Sequence, residues 1–182
     1  MNPKPLIQCL RFPQHLHLSM LVGLVLCLPF AAAHALPTDK SQEIQITSKS
    51  ASVDSKQGVT IFNGPVKFTQ GTLEIMADKI TIRLDKNQKL QSLVAEGAPA
   101  RYQQQPDVDK ALIHAEATNI NYDVSKDHLT LDKNAFVEQN GATTRGGRID
   151  YDITRGTVSA SGAGNATDRV EFVIPPQTDK KE

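Results

Sequence analysis

Between Val59 and Leu84 the chain reads VTIFNGPVKFTQGTLEIMADKITIRL, with apolar side chains at every second position and small or polar residues breaking the run. Period-two alternation sends successive side chains to opposite faces of an extended chain, so the stretch predicts three or four short antiparallel strands, one face apolar and one wet. Thr60 and Phe62 share a face, Asn63-Gly64 predicts a tight reversal, Val66 and Phe68 continue on the next strand, and Gln70-Gly71 predicts a further turn. Leu73, Ile75 and Ala77 form a third row. After a break at Asp78-Lys79, Ile80, Ile82 and Leu84 form a fourth.

The pattern returns 69 positions later without a gap. Val53-Asp54 falls on Tyr122-Asp123, Phe62 on Leu131, Phe68 on Val137, Gln70 on Gln139, Lys79-Ile80 on Arg148-Ile149 and Leu84 on Ile153. A fixed offset that keeps face, turn and charge marks an internal repeat, each copy a sheet segment that buries its apolar side only by stacking on its neighbour.

Elsewhere the same alternation holds. Ile44 and Ile46 alternate with Gln45 and Thr47 in a first strand, Ala51 and Val53 continue the pattern, and Asp85-Lys86-Asn87 predicts a turn with an echo between two later strands in Asp132-Lys133-Asn134. Gly97 and Pro99 predict a bend or bulge before Tyr102, and a polar loop from Gln103 to Asp109 joins the two copies. Asn140-Gly141 signals a hairpin, and Gly146-Gly147 a place of close backbone approach. Val170, Phe172 and Ile174 make a last strand, stopped by Pro175-Pro176. No segment outside the N-terminus has helical periodicity. Strands spaced by eight to twelve residues predict an all-β chain of about fourteen to sixteen antiparallel strands, too many for one open sheet, so two sheets are expected to face one another.

The N-terminus reads differently. Lys4 and Arg11 precede an apolar run from Leu16 to Phe30 that ends in Ala31-Ala32-Ala33-His34-Ala35, the arrangement of a cleavable secretory signal over residues 1–35. One domain, 36–174, and a disordered tail, 175–182, are expected to follow, with residues 36–41 polar and loose. The chain's two cysteines, Cys9 and Cys27, both lie in the signal, so the exported part holds no disulfide although its compartment is oxidising. The whole chain carries 20 basic and 20 acidic residues, and losing Lys4 and Arg11 leaves no field that steers towards nucleic acid.

Catalytic groups are sparse. His114 and His128 are the histidines beyond residue 35, and neither belongs to a recognised motif. Asp127 beside His128 is no acid-base pair, since strand neighbours point apart. There is no zinc spacing, no nucleophile elbow and no phosphate-cradling glycine loop, and Pro106, Asp107 and Asp109 lack the glycine and distal glutamate of a calcium loop. No cofactor is implied. The interior rows are mostly Ile, Val, Leu and Ala without tryptophan, which suits a packed core or, if the sheets splay, an apolar trough for alkyl chains.

The two terminal strands, Glu43 to Lys49 and Arg169 to Ile174, should leave unpaired edges at opposite ends of the stack. Val170, Phe172 and Ile174 are therefore candidate partner-binding residues, and a heterologous edge-to-edge contact predicts head-to-tail homo-oligomers.

The run Phe62-Asn63-Gly64-Pro65-Val66-x-Phe68-Thr69-Gln70-Gly71, followed by Ala77-Asp78-Lys79-Ile80 and preceded by Ile44-x-Ile46 and Val53-Asp54, resembles the OstA-like domain family. Ala117-x-x-Ile120-x-Tyr122-Asp123, Leu131-x-x-Asn134-Ala135 and Gly147-Arg148-Ile149-x-Tyr151 carry the likeness through the second copy. The resemblance implies a slightly opened β-jellyroll in the periplasm. It also implies lipopolysaccharide as ligand, passed from an LptC-like inner-membrane protein to an LptD-like outer-membrane protein. Lining positions implied by matching residues are Ile44, Ile46, Phe62, Val66, Phe68, Leu73, Ile75, Ile82, Tyr102, Tyr122, Val124 and Leu131. Pro65 departs from the asparagine expected there, and Glu43 leaves the first strand's start open. A polysaccharide-active β-solenoid enzyme, which should present an acidic cluster on one sheet face, and a purely structural β-scaffold are the alternatives.

Overall fold

A computed structural model describes residues 39–164 and 169–176. The expected signal and residues 177–182 lie outside them, and Pro175 and Pro176 sit beyond the last strand. The described chain is all-β apart from one 3-10 turn at Asp39–Ser41. The strands are β1 (Ile44–Thr47), β2 (Ser50–Asp54), β3 (Val59–Gln70), β4 (Leu73–Leu84), β5 (Leu90–Gln104), β6 (Ile113–Asp123), β7 (His128–Gln139), β8 (Ala142–Asp152), β9 (Thr157–Ser161) and β10 (Glu171–Val173). They form one antiparallel sheet in the order β1-β3-β4-β5-β6-β7-β8-β10, with β2 also on β3 and β9 also on β8.

The expected fourteen to sixteen short strands are ten, because six of them are long and bent rather than interrupted. Each of β3 to β8 carries an irregularity in its pairing, at Asn63/Val66, Met76/Lys79, Glu96/Ala100, Glu116/Asn119 and Asp132/Ala135, and between Gly146 and Arg148. These positions line up across neighbouring strands into a crease. Asn63-Gly64, read from sequence as a reversal, is thus a bulge inside β3, with Gly64 at φ +94°. Asp132-Lys133-Asn134 is likewise a bulge inside β7, with Lys133 and Asn134 at φ +65° and +55°. Positive φ serves a bulge as well as a hairpin, which is why the same residues signal both. Asn140-Gly141, at φ +53° and +77°, does close the β7–β8 hairpin.

The crease folds the sheet on itself. Tyr102 pairs with Ala115 on one side of it and Tyr122 with Leu93 on the other, seven residues further along β6. A straight strand would hold those positions about 23 Å apart at ~3.3 Å per residue, yet the two rings meet at 5.8 Å. The two facing sheets expected from sequence are two halves of one sheet. One half holds the β3–β4 and β7–β8 hairpins, and the other holds the turns after β2, β4, β6 and β8.

The repeat is structural. Val59–Gln70 of β3 corresponds at the 69-residue offset to His128–Gln139 of β7, and the bulge at Asn63/Val66 to that at Asp132/Ala135. β1 and β2 correspond to the two halves of β6, and β5 to β9 and β10. Even a polar detail recurs: Gln70 Nε2 donates to the Gln42 carbonyl at 3.2 Å, and Gln139 Nε2 to the Ala111 carbonyl at 3.2 Å. Both ends of the sheet are thereby finished by two short strands on one long neighbour.

Candidate functional site

The inward rows of both halves make one apolar cluster, in which Phe68, Ile75, Ile80, Leu93, Ile113, Ile120, Leu129, Leu131 and Ile149 are fully buried. Burying each such side chain contributes about 1.5–3 kcal/mol. Of the expected lining positions, Val66, Phe68, Leu73, Ile75, Ile82, Tyr102, Tyr122, Val124 and Leu131 are all buried in this cluster. Ile46 and Phe62 are half-buried against it. Ile44 lies at the margin, 36% exposed, yet it pairs with buried Gln70 and so faces the same way. The structure therefore brings all twelve to one side of the sheet. Nine of them are buried from solvent, and Ile44, Ile46 and Phe62 are only partly covered.

The mouth opposite the crease is polar. The Tyr122 hydroxyl donates to Asp127 Oδ1 at 3.1 Å, the Tyr151 hydroxyl donates to Gln139 Oε1 at 2.8 Å, and the Tyr102 hydroxyl donates to Gln104 Oε1. Burial pushes all three phenols up from their ordinary range, and for Tyr122 the nearby Asp127 carboxylate adds to the effect. Gln104 Nε2 in turn donates to Asp39 Oδ2 at 2.8 Å. Each aromatic body thus packs in the apolar interior while its hydroxyl reaches the rim.

The outer face carries paired charge. Lys67 meets Glu74, Lys79 meets Glu96, Arg101 meets Glu116, and Arg148 meets both Asp132 and Asp150, all within 3.0 Å. Cross-strand pairs of this kind keep a face soluble and fix its register. The acidic cluster that a glycan-cleaving face would need is not formed by these carboxylates. Asp127 and His128 do point apart: Asp127 meets Lys40 and Tyr122, whereas His128 lies 3.5 Å from Asp150. Among the described residues no three His, Cys, Asp or Glu side chains are grouped as metal ligands.

Residues 45–157 match the family described as LptA/(LptD N-terminal domain) LPS transport protein. The chain belongs to that family. Within it, the chain is similar to the lipopolysaccharide export system protein LptH of Pseudomonas aeruginosa. The two are 34% identical over 165 residues, covering 88% of this chain and 94% of LptH. It is 31% identical to the lipopolysaccharide export system protein LptA of Escherichia coli K12 over 137 residues, covering 75% of this chain and 74% of that protein. The crystal structure of LptH, described as the LptA homologous periplasmic component of the conserved lipopolysaccharide transport device, matches with a TM-score of 0.70 at 34% identity. That match covers 77% of this chain and all of LptH's.

Three features of the site were missing from the sequence reading. Residues 36–41 were expected to be loose, but Asp39–Ser41 form a turn fixed to the rim: Asp39 accepts from the Thr72 amide at 2.6 Å and the Thr72 hydroxyl at 2.7 Å. Gln104, expected in the polar loop between the copies, is instead the last residue of β5, is buried and links Tyr102 to that turn. Val170 precedes the last strand, which is Glu171–Val173 rather than Arg169–Ile174. Phe172 lies on it at the sheet edge, 58% exposed, and Ile174 follows it at 84%.

Proposed function

We propose that the chain carries lipopolysaccharide across the periplasm, with the acyl chains held between the two halves of the folded sheet. The observation that supports this most directly is the construction of the interior. Each half is hydrogen-bonded within itself, the halves are continuous only along the crease, and elsewhere they meet through apolar side chains and a few polar contacts at the mouth. Such an interior can part without breaking a strand ladder.

The energetics require a covered path. One acyl chain of about twelve methylenes costs on the order of 10 kcal/mol to expose to water. A run of similar interiors lets the lipid pass between nearly isoenergetic sites, with direction supplied by a partner. On this reading Ile46, Phe62, Phe68, Ile75, Tyr122 and Leu131 touch the acyl chains, and the N-terminal signal delivers the protein to the periplasm.

The assembly reading rests on the sheet's ends. Among the described residues β1 and β2 pair only with β3, and β9 and β10 only with β8, so no described strand covers the outer edge at either end. Strand addition there would join copies head to tail, with an LptC-like protein capping one end and an LptD-like protein the other. Mass spectrometry of lipid that copurifies with the protein from cell envelopes tests the proposal. Lipopolysaccharide in near-stoichiometric amount is expected, and protein that returns free of any acylated lipid would overturn it.

A further inference from the structure

The 3-10 turn at Asp39–Ser41 spans the mouth of the interior. Its anchor is Asp39, whose carboxylate accepts from the Thr72 amide, the Thr72 hydroxyl and Gln104 Nε2 at 2.6, 2.7 and 2.8 Å, all on the lip formed by the β3–β4 hairpin and the end of β5. The fit is close: a Cβ at Gly71 would fall 2.2 Å from Asp39 Oδ1, so the glycine that turns the hairpin also admits the carboxylate. The next residue crosses. Lys40 Nζ lies 2.8 Å from Asp127 Oδ2 on the opposite lip, and the Tyr122 hydroxyl holds the other oxygen of the same carboxylate.

The repeat offers an internal comparison. At the 69-residue offset Val108 stands in the place of Asp39 and Asp109 in that of Lys40, so the second copy cannot make this bridge. There the mouth is an open cleft of about 430 Å³ between Lys110, Gln139 and Arg155, with Tyr151 and Ile153 on its floor. The first-copy end of the mouth is tied by an ion pair, whereas the second-copy end is crossed by the neutral Tyr151–Gln139 hydrogen bond at 2.8 Å.

We propose that the Asp39–Ser41 turn is a latch: Lys40–Asp127 holds the two lips together, and it must let go before a long-chain amphiphile can occupy the interior. The division of labour follows from the contacts. Three charge-assisted hydrogen bonds keep the turn on its own lip, while a single ion pair, with side chains 45% and 29% exposed, spans the gap. The spanning contact is the weaker one. A ligand that binds only the parted state is held back by the closed fraction, so releasing the latch raises its apparent affinity. The opening starts at the second-copy cleft and ends at the latch. This inference rests on the interior being the lipid site.

Stapling tests it. In the full chain with Cys9 and Cys27 replaced by serine, Lys40→Cys/Asp127→Cys is joined across the mouth by a bismaleimide with a reducible spacer, and Lys40→Cys/Thr72→Cys is joined the same way on one lip. Binding of purified lipopolysaccharide is measured before and after reduction, with circular dichroism confirming the β fold in each. The cross-mouth staple is expected to weaken binding at least tenfold, reversibly on reduction, while the same-lip staple leaves it within twofold of its reduced form. Lys40→Ala is expected to bind severalfold faster than wild type. A cross-mouth staple that binds as well as its reduced form would overturn the latch. Wild type that does not bind lipopolysaccharide at all would instead overturn the reading of the interior on which the latch depends.

Discussion

Tyr102 and Tyr122 meet edge to face, with ring centroids 5.8 Å apart and planes at 70°, although one belongs to each half of the folded sheet. The contact is a direct marker of closure, since parting the halves must separate the rings. Truncating either ring leaves a cavity at the centre of the cluster. Tyr102→Ala is expected to destabilise the fold by about 3–5 kcal/mol, read from the urea midpoint. Tyr102→Phe, which keeps the ring and removes only the donor to Gln104, is expected to cost about 1–2 kcal/mol.

The three tyrosines of the chain, Tyr102, Tyr122 and Tyr151, are all buried, and burial raises each of their pKa values. Above a pH of about 10 the unfolded chain releases phenolic protons that the folded chain retains. Stability is therefore full below pH 10 and falls as the pH rises beyond it. Tyrosinate absorbance should stay absent through pH 10 and then appear together with loss of the circular dichroism signal. A normal titration in the folded protein would contradict the burial.

Gly147 sits at the crease, where an added Cβ would come 2.3 Å from the Ala163 amide nitrogen and 2.4 Å from its Cα. These are backbone atoms, so relief requires the segment after β9 to move. Gly147→Ala is expected to cost about 1–3 kcal/mol in thermal or urea unfolding. Gly156→Ala, where nothing lies within 4 Å but φ is +66°, should cost less, about 1 kcal/mol.

Phe172 pairs with Thr144 at the outer edge of the sheet and remains mostly exposed. Phe172→Pro or Phe172→Asp is expected to leave the monomer folded and abolish concentration-dependent growth in light scattering. Wild type that stays monomeric at high concentration, or a variant that still elongates, would remove the bridging role from this edge.

Much of this architecture is legible in the sequence because two-residue alternation is a local signal. The rows from Phe68 to Ile82, the Asn140-Gly141 hairpin and the 69-residue repeat all follow from it. The close approach at Gly146-Gly147 is legible as well, since paired glycines have few other uses in a strand. What local patterning does not separate is a turn from a bulge: the positive φ of Gly64, Lys133 and Asn134 is used in both, and only the pairing of their neighbours decides. The latch is invisible for a different reason. Asp39 is polar and near a chain end, as a solvated residue would be, and its partners Thr72 and Gln104 lie 33 and 65 positions away. The Lys40 partner, Asp127, is 87 positions away.

The central claim is that acyl chains lie between the halves and not on the outer face. Neighbouring strand positions test it, because Phe62 and Tyr122 face inward, while Lys67 and Glu74 face out and pair with each other at 2.9 Å. A photo-crosslinking amino acid placed singly at each of these four positions, activated in cells making lipopolysaccharide, should capture it from positions 62 and 122 and not from 67 or 74. Capture from 67 and 74, with none from 62 and 122, would put the lipid on the wrong side of the sheet.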